Sequence, residues 1–234
     1  MGFIDDIKED QKMQIQAVCV VFFLLAFPSY FFLKAAATDD PAGMGGVGTY
    51  SVTGDISYID FDNGGEYIAD GQTLTIPLNT DSLGSMDMDK NIVGVLVTMN
   101  YNEDEAVSGG PQCGFAGGQD APDTITGVAT HAEFTNSEEG QNGASSSHSV
   151  TTEWYNSSMI GTEVEGLSES EIAEQLDSNG AGLGDYTIEI TVNAQAGNAP
   201  LGCTRTDNGE DVTYTVQLIV LDFEITPYIE IEDI

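Results

Sequence analysis

Alternation is the feature that most constrains this chain. Over residues 186–192 (YTIEITV) and 212–218 (VTYTVQL) every second residue is apolar and its neighbours are polar. That is the period of a β-strand with one face buried and one face wet, because successive side chains point to opposite sides of the pleat. Weaker versions recur. Val52, Ile56 and Tyr58 share one face; Leu74, Ile76 and Leu78 alternate with threonines; Val93, Val95, Val97 and Met99 form a more continuous apolar run. Val128, Ala132 and Phe134 predict a fourth strand, and Val150, Thr152 and Trp154 a fifth. Seven or more such segments, separated by Gly, Asn, Asp and Ser turns, predict two packed antiparallel sheets. The expected class is mainly β, an immunoglobulin-like sandwich with one short helix.

The helix is marked by its own chemistry. In Leu167-Ser168-Glu169-Ser170-Glu171-Ile172, Ser168 stands at N-cap and Glu171 three residues on, a capping box closed by the apolar pair Leu167 and Ile172. Ile172 and Leu176 form one stripe, and Asn179-Gly180 is a stop. Tyr186 opens the following strand, the position of a tyrosine corner, although Ile188 stands where an antibody domain carries its second cysteine.

A different physics governs the N-terminus. Residues 15–33 (IQAVCVVFFLLAFPSYFFL) carry no charge and lie between Lys12 and Lys34. About 20 apolar residues span the hydrocarbon core as a helix. Phe22, Phe23, Phe27, Phe31 and Phe32 would cover every face of that helix, which suits lipid better than a protein interior. The expected organisation is a cytoplasmic leader at 1–12, a single transmembrane helix at 13–34, a Pro/Gly linker at 35–48, an extracytoplasmic sandwich at 49–226, and a tail or edge strand at 227–234. The lipid bilayer is thus an expected partner, and the span is read as an uncleaved signal-anchor. Cleavage near Ala35-Ala36-Ala37 would instead release the domain.

Charge narrows the functions open to the chain. There are 39 acidic residues against 5 basic ones, a formal net charge of −34, and beyond residue 34 the only bases are Lys90 and Arg205. A surface of this sign repels phosphates, which excludes nucleic acid as a partner. The apolar alternation through the acidic region distinguishes it from a disordered acidic tail.

Three cysteines divide by context. Cys19 lies in the apolar span, while Cys113 and Cys203 sit in Gly/Pro-flanked loops and are expected to form a disulfide outside the reducing cytoplasm. Asn156-Ser157-Ser158 is an N-glycosylation sequon, with Asn156 as the acceptor. Asp87, Asp89 and Asn91 space their oxygens like the start of an EF-hand loop, but Ile92 replaces the required Gly and Thr98 the bidentate Glu. The acidic turns at 60–64 and 207–211 could hold a structural Ca²⁺ or simply be solvated turns. His131 and His148 have no ligand-spaced partner for zinc. No cofactor is called for, no metal residue is assigned, and no nucleophile elbow, P-loop or dinucleotide fingerprint occurs. Trp154 reads as a core residue, and no catalytic residue is assigned.

The layout, from acidic leader through aromatic-rich span to strands such as GDYTIEITV and DVTYTVQLIVLDFEI, resembles small single-pass envelope proteins of planktonic marine archaea. That resemblance implies a surface-exposed, membrane-tethered module. The expected function is a non-catalytic binding or structural module of the cell envelope, its partner an envelope protein or a glycan. The alternative is an archaeal type IV pilin-like subunit cut near Lys12-Met13-Gln14, although Met13, the acidic leader and Pro28 depart from that family's pattern. A membrane-attached hydrolase or an accessory subunit of an envelope complex comes after both.

Overall fold

The computed structural model describes residues 22–26, 46–102, 105–111, 113, 121–141 and 145–228. The chain divides into Met1–Gly46 and Val47–Ile234. In the first unit, residues 22–26 are helical with Phe22, Phe23, Leu24 and Leu25 exposed. The rest of the expected membrane span, the leader, almost all of the linker and the tail beyond Tyr228 lie outside the described residues. Among the described residues no helix is long and apolar enough to cross a membrane.

The second unit is a sandwich of antiparallel sheets. Its strands in chain order are β1 (Gly48–Ala69), β2 (Thr73–Asn79), β3 (Ile92–Asn102), β4 (Ala106–Gly109), β5 (Thr124–His131), β6 (Phe134–Gln141), β7 (Ser145–Glu153), β8 (Thr162–Leu167), β9 (Asp185–Asn193), β10 (Cys203–Thr206) and β11 (Gly209–Pro227). Two helices join them, α1 (Ser85–Met88) and α2 (Glu169–Leu176). One sheet runs β7-β3-β11-β1-β8, the other β2-β9-β5-β6, and β4 with β10 makes a separate ribbon.

The order corrects the immunoglobulin-like expectation. Within the two main sheets, β5 and β6 are the one pair of chain neighbours that lie side by side in the same sheet. Every other step between their eight principal strands (β1, β2, β3, β5, β6, β7, β9, β11) passes from one sheet to the other. Strands arranged 7-3-11-1 over 2-9-5-6 form two interlocked Greek keys, the pattern of a jelly roll, with β8 added along the start of β1. Alternation marks a strand as half-buried but says nothing of its partner, so sequence periodicity does not separate the two sandwiches.

Two apolar clusters hold the layers. The first lies between the sheets and joins Val95, Val97, Met99, Val150, Val216 and Leu218 to Ile76, Ile125, Ala129, Ile188, Ile190 and Val192. The second lies on the outer face of the larger sheet, where Ile172 and Leu176 of α2 cover Val52, Val93, Ile219 and Leu221. A bulge allows β3 to serve both. The register with β11 slips between Ile219 and Val220, opposite Gly94 and Ile92, so Val93 turns outward while Ile92 and Val95 face the interior. Gly94 sits at the kink because a Cβ there would lie 2.9 Å from the Thr152 carbonyl oxygen.

The expected helix forms where its caps place it. Glu171 Oε2 accepts from the Ser168 backbone N–H at 2.8 Å, and Ser168 Oγ accepts from the Glu171 N–H at 3.3 Å. The expected fourth strand is instead a hairpin: β5 ends at His131 and β6 begins at Phe134, with Ala132 at φ 50° in the turn. Ala132 and Phe134 kept the alternation across the turn and concealed it.

Candidate functional site

Among the described residues, two places gather polar chemistry. The first lies where β5 turns into β6 and β7 ends. Here a ring stack runs from core to surface. Tyr186 and His131, 1% and 3% exposed, stack with centroids 4.0 Å apart. Trp154 lies 4.8 Å from His131, and Phe134 lies 5.8 Å from Trp154. Each inner ring is tied down. The Tyr186 hydroxyl donates to the Gly182 carbonyl at 2.7 Å, the tyrosine-corner contact expected from the sequence, and burial holds that hydroxyl well above the usual tyrosine range. Gly182 admits no side chain, since a Cβ would meet the Ile92 carbonyl oxygen at 2.5 Å. Trp154 Nε1 donates to the Ile92 carbonyl at 3.0 Å, so the tryptophan is part of the packed frame. The His131 ring nitrogens Nδ1 and Nε2 lie 2.9 and 2.6 Å from the carbonyl oxygens of Asp185 and Ala181.

Half-buried Phe134 ends the stack and lines a groove of about 340 Å³ with Glu133, Asn136, Thr151 and Glu153. Asn136 Nδ2 donates to the Thr151 carbonyl at 2.7 Å, which ties β6 to β7 across the groove. A second groove of about 330 Å³ opens along the same flank beside Asn100, Tyr101, Asn102, Ser146 and Ser147. In its wall the Tyr101 hydroxyl lies 3.1 Å from His148 Nδ1. Burial lowers the pKa of His148, against an opposing pull from Glu138. Burial also raises that of Tyr101, and the charge of Glu210 adds to it.

Glu210 belongs to the second place. Carboxylate oxygens of Asp123, Asp207 and Glu210 lie within 4.8 Å of one another, with Asp123 and Glu210 fully buried. Asp123 Oδ1 accepts from the Gln195 N–H at 2.6 Å, and Asp207 Oδ1 from the Gly209 N–H at 3.2 Å. Oxygen donors of this type suit a hard cation such as Ca²⁺. The acidic turn at 207–211 thus contributes two of the three carboxylates. Asp123 comes from the approach to β5, and no sequence spacing linked it to them. The other turn does not converge in this way: Asp60 accepts from Gln217 and Asp62 from Tyr214 across the β1–β11 ladder. The truncated EF-hand pattern forms no loop site, since Asp87 pairs with Lys90 at 2.9 Å beside α1.

The loops here are fastened twice. Cys113 and Cys203 form the expected disulfide, closing a separation of 90 residues. Two residues on, Arg205 pairs with Glu105 at 2.8 Å, their side chains 9% and 1% exposed. Asn156 of the sequon precedes a short 3-10 turn between β7 and β8; its Nδ2 donates to Gln175 Oε1 at 3.0 Å and its Oδ1 accepts from Ser158 Oγ at 2.6 Å.

No protein-family model matches the chain, and no curated protein matches it in sequence. Among solved structures, TmCBM61 in complex with β-1,4-galactotriose shares 10% identity over 75% of this chain and 88% of its own, with a TM-score of 0.26. A protein of Broad Bean Stain Virus shares 9% over 74% and 93%, with a TM-score of 0.28. One from Mud Crab Dicistrovirus shares 9% over 76% of each chain, with a TM-score of 0.27. Likeness at this level says nothing about ligand, assembly or activity.

Proposed function

We propose that this protein is a non-catalytic binding or structural module of the cell envelope, held outside the cytoplasm by a single transmembrane helix at 13–34. The observation that carries the reading is the Cys113–Cys203 disulfide, which fastens the loop before β5 to β10. Bonds of this kind persist in oxidising compartments. Uncompensated acidic charge keeps such a module apart from nucleic acid and from anionic headgroups. Outside the cell, Asn156 is the acceptor for an N-linked glycan, and envelope proteins or glycans are the partners within reach. The resemblance to acidic envelope proteins of marine archaea belongs to the same reading.

Protease treatment of intact cells, followed by fractionation, tests it. The expected result is loss of the 49–226 domain from the surface, with untreated protein in the carbonate-resistant membrane fraction and the disulfide intact on non-reducing peptide mapping. Protein recovered from the cytosol with both thiols free would overturn the proposal.

A further inference from the structure

We propose that the groove between the start of β6 and the end of β7 is a binding site for a neutral oligosaccharide, with Phe134 as its platform and Glu133 and Glu153 as its hydroxyl acceptors. This rests on the reading of the chain as a binding module and names the class of ligand. Sugar rings present two chemistries, a C–H face that packs on an aromatic ring and a rim of hydroxyls that donates to oxygen acceptors. The groove presents the complement of both.

Phe134 is the outermost ring of a stack whose inner members, Trp154, His131 and Tyr186, are each hydrogen-bonded to backbone carbonyls. Its backing is therefore rigid before any ligand arrives, which lowers the ordering cost of binding. Exposed Glu133 stands in the turn before β6 and exposed Glu153 at the end of β7, and Thr151 adds a hydroxyl. The volume, about 340 Å³, is at the lower end for small-ligand sites. Ala132, at φ 50°, is held by the tight β5–β6 hairpin that fixes Glu133 beside Phe134.

Charge selects among ligands. A net charge of −34 turns away acidic saccharides and other anions. A cation finds carboxylates over the whole surface and gains nothing particular here, whereas Phe134 adds to the groove an aromatic ring backed by Trp154. A neutral hydroxyl-rich ligand fits what remains.

The experiment is calorimetry on the full chain in detergent, titrated with neutral tetrasaccharides of gluco, galacto and manno configuration and with a lysine-rich decapeptide. Binding of at least one saccharide is expected. Phe134→Ala should weaken it about tenfold, the size of a lost aromatic contact. Glu153→Gln, at an exposed position that leaves the core intact, should weaken it by a similar factor through loss of a charged acceptor. Tyr58→Ala, an exposed position in β1 outside the lining of the groove, should leave affinity unchanged, and thermal melts identify any variant that fails to fold. Absence of saccharide binding, or binding of the decapeptide alone, would overturn the proposal. Saccharide binding that Glu153→Gln and a folded Phe134 variant both leave intact would overturn the groove while sparing the module. Failure of the envelope reading itself would instead appear in the fractionation above.

Discussion

Single residues carry charge into places where its removal is felt. Arg205 and Glu105 are both buried and meet at 2.8 Å. Arg205→Met leaves a carboxylate in the interior with its cation gone, so urea unfolding should show a loss of about 3–5 kcal/mol. Arg205→Met with Glu105→Leu should recover much of that, because a paired loss removes the stranded charge. His148 acts through protons. Burial lowers its folded pKa below the unfolded value, so the folded state binds fewer protons than the unfolded chain. Its contribution to stability is therefore complete above the unfolded pKa of about 6.5 and is lost as pH falls through the lower folded value. Denaturation midpoints should decline as pH drops below about 6.5, and His148→Gln should flatten that part of the curve.

At the scale of elements, α2 is held at one end by its cap and along one side by the sheet. Ser168 and Glu171 satisfy each other's backbone N–H groups, and Ile172 and Leu176 are fully buried on the outer face of the larger sheet. Ser168→Ala should cost about 1 kcal/mol, a typical value for a lost N-cap, as read from thermal melts. Glu171 behaves differently in acid. Its hydrogen bonds from Ser168 hold its carboxyl below the usual carboxylate range, so the cap is complete at neutral pH and weakens as pH falls through the lowered value. This helix was legible in the sequence because capping is local, its partners three residues apart. The β5–β6 hairpin was not. Ala132 is an ordinary apolar residue in sequence, and its positive φ is imposed by the pairing of β5 with β6.

For the whole molecule, both basic side chains among the described residues are already ion-paired, Lys90 with Asp87 and Arg205 with Glu105. The remaining carboxylates repel one another across a surface that has few cations to separate them. Screening shortens that repulsion, from a range of about 10 Å in 0.1 M salt to about 3 Å in 1 M. Melting temperature should therefore climb by roughly 5 °C or more between those NaCl concentrations, equivalent to about 2 kcal/mol; a flat response would show that the charges are already neutralised. The disulfide works through the unfolded chain instead. Replacing Cys113 and Cys203 with serine opens a loop of 90 residues and should cost about 4–5 kcal/mol in the chain-entropy model, measured by denaturant unfolding.

By itself the sequence determined most of the long half-buried strands, where α2 begins, which cysteines pair, and the charge the surface must bear. Each of those follows from neighbours along the chain or from composition. The tertiary structure alone decided the jelly-roll order of the sheets, the meeting of Asp123 with Asp207 and Glu210, and the ring stack that ends at Phe134. Those depend on which strand lies beside which. Partner choice is settled by packing between residues far apart in the chain, and a period of two is the same for every partner.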